Sequence, residues 1–494
     1  MEIFLVLSIP VLGAVLLAFL GARRFAAELN IGIGLATLAA TVLLVVRVAR
    51  QGPFLAAHEQ FFVDPFNVFL VALTAFVGFT TTLFSRPYMR IEQLHGHVGP
   101  RRMRLYHSMY QVFMAAMLLA LLTNNMGLLW VAMEMATLST VLLVSLYRTR
   151  ASLEAAWKYF ILCGVGIAQA LFGTILLYFA AEQTLGREGM SALLWTHLNA
   201  VKGHLEPRVM GLAFVFFLVG FGTKAGLAPL HNWLPDAHGE GPAPVSAVLS
   251  GLLLNVGLYG VIRCKMLVVG SIGPALPRHM LMGFGLFSVL LAAFFLWRQR
   301  DIKRLFAYSS IEHMGLVAFA FGIGGPIANF AAMLHMVVHS LTKSSIFFSA
   351  GHASQAAGTQ QMEDIRGLAD TTPAIGWALL LGSLAILGMP PFGVFTSEFL
   401  MLTTAIREHP WTAPLLLVGL GVAFAAIFSR AQSMVFGENR APVFDKNGAP
   451  HLPVATKAPT MIPAFLHLAM VLALGLYIPP VLAEWFRAAA RLIG

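Results

Sequence analysis

The sequence predicts an all-α polytopic membrane protein of about fourteen transmembrane helices, two of them broken, and three observations lead there. Of its 494 residues 58% are hydrophobic and only 11% charged, where soluble domains run near 25% charged. Apolar stretches close to the ~20 residues a helix needs to cross a ~30 Å hydrocarbon core recur from end to end. Long hydrophilic segments are few, and none could hold a soluble catalytic domain. The expected spans are about 3–21, 30–48, 65–84, 109–123, 126–146, 156–181, 209–235, 243–262, 279–297, 305–323, 327–350, 374–406, 412–435 and 460–483.

The first span follows Met1-Glu2-Ile3 with no basic n-region and no Ala-x-Ala site, so a retained helix is expected rather than a signal peptide. Asp64 ahead of Pro65 reads as the N-cap of span three. The loop 85–108 is basic and suits lipid head groups or an acidic partner. Lys158, near the end of span six, can snorkel to the interface. Span seven is broken at Pro229, and the turn residues that follow around Asp236 and Glu240 are explained by chain reversal. Span twelve is broken at Leu387-Gly388-Met389-Pro390-Pro391-Phe392-Gly393. The outer loop 182–208 and the inner loop 436–459, with Pro442, Asp445 and Pro450, read as connections.

Four segments are expected: 1–108 with helices one to three and the basic loop, 109–268 as a first half, 279–436 as a second half, and 437–494 with the last helix. If five-span units run from four to eight and from nine to thirteen, each broken helix is fourth in its unit. An odd number of spans inverts the second copy, the construction in which interrupted helices mark an ion path. Lys and Arg concentrate on the cytoplasmic side of membrane proteins. With both termini outside, the cytoplasmic loops hold eighteen of the thirty-two, the opposite face eleven, and Lys158, Lys224 and Lys343 are intramembrane. The net charge of +10 is then topology, not a nucleic-acid surface. An inner, cytoplasmic membrane is the expected location.

Two cysteines, Cys163 and Cys264, form no Cys-x-x-Cys or metal-cluster spacing. No dinucleotide or Walker motif is present. No metal, cofactor or redox centre is expected in this chain, so electron transfer would belong to other polypeptides.

The informative residues are charges inside apolar spans. Lys224 lies five residues ahead of Pro229. An ammonium there costs about 2.5–3.5 kcal/mol on insertion scales, so such groups are paired and face the interior. Proline frees backbone carbonyls that lipid cannot satisfy, which points to a polar cavity. Glu134, halfway through span five, can neutralise Lys224, and their separation then sets both charge states. A static buried salt bridge is the structural alternative. In span eleven, His335, His339 and Lys343 recur every four residues on one helical face. Two imidazoles in line with a lysine read as a proton relay. A metal on the histidine pair lacks an evident third ligand, and plain interhelical hydrogen bonding is the other alternative. Glu312 and His313 in span ten and Glu398 past the second break extend the row, while Ser246, Ser250 and Asn255 of span eight could hold waters.

Lys224-Ala-Gly-Leu-Ala-Pro-Leu-His-Asn-Trp-Leu-Pro-Asp236-Ala-His-Gly-Glu-Gly-Pro-Ala-Pro-Val-Ser-Ala resembles the signature of the antiporter-like membrane subunits. That family is shared by respiratory complex I, multisubunit cation/proton antiporters and group 4 nickel–iron hydrogenases. Asp301-Ile-Lys-Arg-Leu-Phe-Ala-Tyr-Ser-Ser, the His335–Lys343 run and Leu387-Gly-Met-Pro-Pro-Phe-Gly-x4-Glu398 fit it in the same order. The stretch around Trp130-Val-Ala-Met-Glu134 is most similar to the hydrogenase-4 component F branch, related to formate hydrogenlyase. The resemblance implies that Glu134 and Lys224 form a proton pair, Lys343 a central relay and Glu398 a terminal acid near the outer exit. Ser250 stands where several complex I members carry histidine, so Glu312 and His313 are expected to supply the link between halves instead.

The expected function is that of a proton-translocating membrane subunit of a multisubunit redox complex, coupled to other membrane subunits and a peripheral redox arm on the cytoplasmic side. The alternatives are a subunit of a multisubunit cation/proton antiporter or of an inorganic-carbon uptake system, and a structural spacer without transport.

Overall fold

Some of the helices begin where the sequence supplies a side-chain cap. Asp64 accepts from the N–H groups of Phe66 and Asn67 while Asn67 Oδ1 accepts from Asp64 N–H, a reciprocal capping box. Asn125, Thr149 and Asp301 cap three later helices in the same way. The computed structural model describes residues 1–186, 189–438 and 458–494. Its helices are α1 (Glu2–Leu20), α2 (Ala26–Gln51), α3 (Pro65–Leu94), α4 (Pro100–Leu122), α5 (Met126–Val144), α6 (Arg150–Leu185), α7 (Trp195–Val201), α8 (Pro207–Lys224), α9 (Trp233–Glu240) and α10 (Ala243–Val248). There follow α11 (Leu254–Ile272), α12 (Ala275–Leu296), α13 (Ile302–Ile323), α14 (Gly325–Ala357), α15 (Leu368–Thr371), α16 (Pro373–Ile386), α17 (Gly393–Glu408), α18 (Ala413–Phe436), α19 (Ile462–Leu476) and α20 (Pro480–Ile493). One antiparallel hairpin, Phe54–Ala56 with Phe61–Val63, interrupts the all-α pattern between α2 and α3.

Eleven of these helices are long and apolar enough to cross a membrane, or twelve if α19 and α20 count as one span. This multi-span membrane protein thus meets a stricter count than the fourteen expected. The expected span 327–350 falls in α14, whose polar row lowers its hydropathy, and 374–406 is divided between α16 and α17. The last expected span, 460–483, is corrected: the chain bends by 79° between α19 and α20. Helix α20 buries Ala483, Phe486, Ala489, Ala490 and Ile493 and turns Arg487 and Arg491 outward, an amphipathic pattern. Residues 439–457 of the inner loop, with Pro442, Asp445, Lys446 and Pro450, lie outside the described residues.

Element lengths follow one order in the two halves, with the longest helix third (α6, 36 residues; α14, 33 residues) and the broken one next. The core is α10–α11, buried from Ala243 to Val268, with α13 and α14 against it. A π-helical turn over Leu249–Leu253 joins α10 to α11 and places Ser250, a feature frequent at functional sites. Between α12 and α13 the backbones touch: a Cβ on Gly285 would lie 2.6 Å from the Gly315 carbonyl oxygen, and one on Gly315 2.7 Å from that of Gly285. Small residues at such crossings let membrane helices pack without a hydrophobic driving force. Phe19, Trp157, Phe179 and Trp411 stand exposed on the periphery, as suits a surface facing lipid or neighbouring chains.

Candidate functional site

Lys224 is the last residue of α8 and completely buried. The end of a helix is where carbonyls lack partners and where a cation gains about 0.3–1 kcal/mol from the helix dipole. The break beyond it is internally satisfied: Trp233 Nε1 donates to Thr223 O at 2.9 Å, and Ala228 N–H donates to Ser288 Oγ at 2.9 Å. Pro229 follows Gly226, whose φ of +73° turns the chain.

The lysine ammonium donates to Thr137 Oγ1 of α5, one turn beyond Glu134. No ion pair joins Lys224 to Glu134 among the described residues; the expected pair meets through Thr137, with Cys163 and Tyr159 of α6 beside it. Glu134 Oε2 has no hydrogen-bond partner among the described residues. Its neighbours on the same helical face, Val131 and Leu138, are exposed, so this carboxylate borders the protein surface. Thr137, Tyr159 and Cys163 were not singled out from the sequence; the helical spacing of Thr137 from Glu134 is the one available signal.

The second cluster is built on α13, α14, α16 and α17. Lys343 is fully buried and donates to Phe306 O at 2.9 Å. The same carbonyl accepts from Ser310 Oγ at 2.9 Å, and Ser250 and Ser310 are hydrogen-bonded at 2.7 Å. Ser250 is therefore tied to Lys343 through one carbonyl. Ser246 instead bonds the His238 carbonyl, and Asn255 Nδ2 donates to Ser340 Oγ at 2.8 Å. The acid acting electrostatically on Lys343 is Glu312. Lys343 and Glu398 form no direct ion pair among the described residues; His313 and Glu312 are the groups that face Glu398.

His335 and His339 share a face of α14 but do not converge as a pair. His335 Nε2 meets His313 Nδ1 at 3.0 Å and His335 Nδ1 meets Ser397 Oγ at 2.9 Å, whereas neither ring nitrogen of His339 has a hydrogen-bond partner among the described residues. Glu398 Oε1 lies 3.7 Å from His313 Nδ1. The third ligand that the sequence lacked is thus supplied from other helices: His313, His335 and Glu398 hold their donor atoms within 4.8 Å of one another. Gly388 (φ +63°) permits this, since a Cβ there would fall 2.1 Å from Glu398 Oε2. Pro390 and Pro391 of the second break are exposed.

Two further groups escaped sequence reasoning. His238 of α9 is wholly buried with both ring nitrogens unpartnered, stacked on Phe347 at 5.0 Å, and it feels the charges of Lys303 and Lys343. Lys303 lines a cavity of about 320 Å³ together with Glu92, His97, Glu240, Gln355 and Gln360. Glu92 accepts from Gln355 Nε2 at 2.6 Å and lies 2.9 Å from His97 Nδ1. That carboxylate raises the His97 pKa above its ordinary value, while burial raises that of Glu240. Asp236 is more than a turn residue, for it ion-pairs with Arg304 and, at 3.3 Å, with Lys158, which is half-exposed and also holds Glu154 at 2.8 Å.

Residues 123–424 match the family described as NADH:quinone oxidoreductase/Mrp antiporter, transmembrane. A hydrogenase-4 component F homolog of Methylacidiphilum infernorum is 48% identical over 488 residues, 99% of each chain. The fold is shared with a chain of the archaeal membrane-bound sulfane sulfur reductase (TM-score 0.87, 23% identity, 99% of this chain and 97% of that one). It is shared also with a chain of respiratory complex I from Thermus thermophilus (TM-score 0.76, 25% identity, 97% and 98%).

Proposed function

We propose, from the premise that this chain belongs to the NADH:quinone oxidoreductase/Mrp antiporter membrane family, that it is the proton-translocating membrane subunit of a hydrogenase-4-like or complex I-related redox assembly. The observation that carries this is a row of buried ionisable groups. It comprises Glu134 and Lys224, which meet through Thr137, and a second set of Lys343, Glu312, His339, His313, His335 and Glu398, with Ser250 and Ser310 tied to Lys343 through the Phe306 carbonyl. Buried charges without fixed partners are costly in a membrane; here the partners are hydroxyls, carbonyls and imidazoles that can accept or pass a proton.

In this reading the cavity of Glu92, His97, Glu240 and Lys303 takes protons from the cytoplasmic side, and His238 hands them to Lys343. Glu312 holds Lys343 charged until His339 and His313 relieve it, and Glu398 releases the proton at the exposed second break. Lys224 answers to Glu134, so a charge arriving beside Glu134 from a neighbouring subunit alters the first half and, through the Ser250 link, the second. The two halves act as inverted repeats, 109–268 and 279–436, with both termini outside, in an inner membrane. Redox chemistry resides in a peripheral arm on the cytoplasmic side, and neighbouring membrane subunits and lipid cover the exposed apolar periphery.

The Lys343→Met variant tests it. In proteoliposomes of the whole complex, proton uptake per redox turnover is expected to fall by at least about tenfold, since the residue that links the halves loses its charge. Unchanged pumping with normal assembly would reject the relay.

A further inference from the structure

His313, His335 and Glu398 bring three potential ligand atoms within 4.8 Å of one another. The Ser397 hydroxyl has one proton, and Ser397 Oγ donates it to Val394 O at 2.8 Å. It must then accept from His335 Nδ1–H, which leaves His335 Nε2 a bare lone pair. On that assignment the one proton between the rings sits on His313 Nδ1 and is given up when an ion binds. The two ring nitrogens face each other at 3.0 Å, and Glu398 Oε1, which has no hydrogen-bond partner among the described residues, lies 3.7 Å from His313 Nδ1. A shared proton satisfies that arrangement; so does a metal ion.

We propose that this trio is a zinc-class divalent cation site, His313 Nδ1, His335 Nε2 and a Glu398 carboxylate oxygen being the ligands and the fourth position open. Zn²⁺ binds imidazole and carboxylate at about 2.0–2.2 Å in tetrahedral array, which sets ligand atoms roughly 3.3 Å apart. The two separations from His313 Nδ1, 3.0 Å to His335 and 3.7 Å to Glu398, lie on either side of that spacing, and all three donor atoms are within 4.8 Å of one another. His335 is already oriented by Ser397 Oγ at its other ring nitrogen, as metal-bound histidines require. Glu312 is the second carboxyl group near Glu398, while an ammonium on Lys343 opposes a divalent ion. His339 is the remaining titratable ring in contact, its centroid 5.5 Å from that of His313, and it is not a ligand. The open edge at Met389, Pro390 and Pro391 gives the ion its way in. Occupation would remove Glu398 and both imidazoles from proton traffic and so block transport; that consequence rests on the relay reading, whereas binding does not.

The test uses the full-length chain in mild detergent, stripped with chelator and titrated with Co²⁺ as a spectroscopic probe displaced by Zn²⁺. One equivalent with a tetrahedral ligand-field spectrum is expected. His313→Gln and His335→Gln should each weaken it by at least about tenfold, a loss typical of damaged metal sites, and His339→Gln should retain it. X-ray absorption on the Zn²⁺-loaded unmutated chain should show two imidazoles, a measurement that stands even if a variant fails to fold. No tetrahedral Co²⁺ signal, fewer than two imidazoles, or affinity unchanged in both ligand variants (an adventitious ion only) would overturn the site. The relay fails separately, through pumping by Lys343→Met without metal.

Discussion

The two broken helices use one device in opposite ways. In the first, the charge comes before the break: Lys224 ends α8, wholly buried. The unwound turn is knitted into the core by Trp233 and Ser288. In the second, the charge comes after the break: Glu398 lies in the second turn of α17, its side chain 12% exposed, behind an exposed Met389-Pro390-Pro391 edge. A cation suits the carbonyl end of a half-helix and an anion the amide end, so the sign of each charge follows from its side of the break. The difference teaches that the first break is an interior junction, sensitive to what happens at Glu134, and the second a port at the edge of the protein.

Lys224→Met should show the larger effect. It removes the ammonium while keeping most of the side-chain volume, and Thr137 can turn its hydroxyl elsewhere. Pumping per redox turnover should fall by at least about tenfold with the complex still assembled. If pumping in proteoliposomes stays normal, Lys224 is structural and the first break is no junction.

Glu398→Gln comes next. The amide keeps shape and hydrogen bonding but exchanges no proton near neutral pH. An edge port therefore predicts good yield with pumping lost, and partial pumping in Glu398→Asp. Poor yield with normal pumping per assembled complex would make Glu398 a structural counter-charge for its buried neighbours, and the contrast between the breaks would collapse.

Much of this could be read from apolar run lengths and proline positions, because lipid forbids unsatisfied backbone and leaves helices as the only way across. Lys224, Lys343 and Glu398 declared themselves as charges in apolar runs. What lay hidden was lateral: the partner of Lys343 is set by how α13 crosses α14, and spacing along α14 alone paired His335 with His339 when its neighbour is His313. Asp64 read correctly as a cap, yet its buried ion pair with Arg263 at 2.8 Å joins residues 199 apart in sequence, beyond any local pattern. His238 was passed over because a histidine in a Gly/Pro-rich turn carries no periodic signal.

Two glycines sharpen the contrast at smaller scale. Both have positive φ, +73° at Gly226 and +63° at Gly388, where an L side chain costs about 1–2 kcal/mol. A Cβ at Gly226 would meet Leu234 Cδ1 at 2.6 Å inside the core, whereas at Gly388 it would meet the Glu398 carboxylate. Gly226→Ala should lower yield and thermal stability while each assembled complex pumps normally. Gly388→Ala should do the reverse, displacing Glu398 and lowering pumping with yield nearly kept. The same phenotype in both would show that the breaks do not differ in kind.

The smallest effect is expected from Asp236→Asn, which bears on whether the first break moves. Asp236 ties α9 to Lys158 of α6 and Arg304 of α13 at the membrane rim, a clamp for which the second break has no counterpart among the described residues. Rim ion pairs are screened by water and contribute about 0–1 kcal/mol. If α9 is held chiefly by its buried face, with Trp233, Leu234 and Ala237 in the core, the variant should lose less than about 1 kcal/mol, more at low salt than at high. Pumping should be unchanged. A large loss of pumping with intact assembly would mean that the clamp holds a moving α9 in register, and the first break would then be a gate like the second.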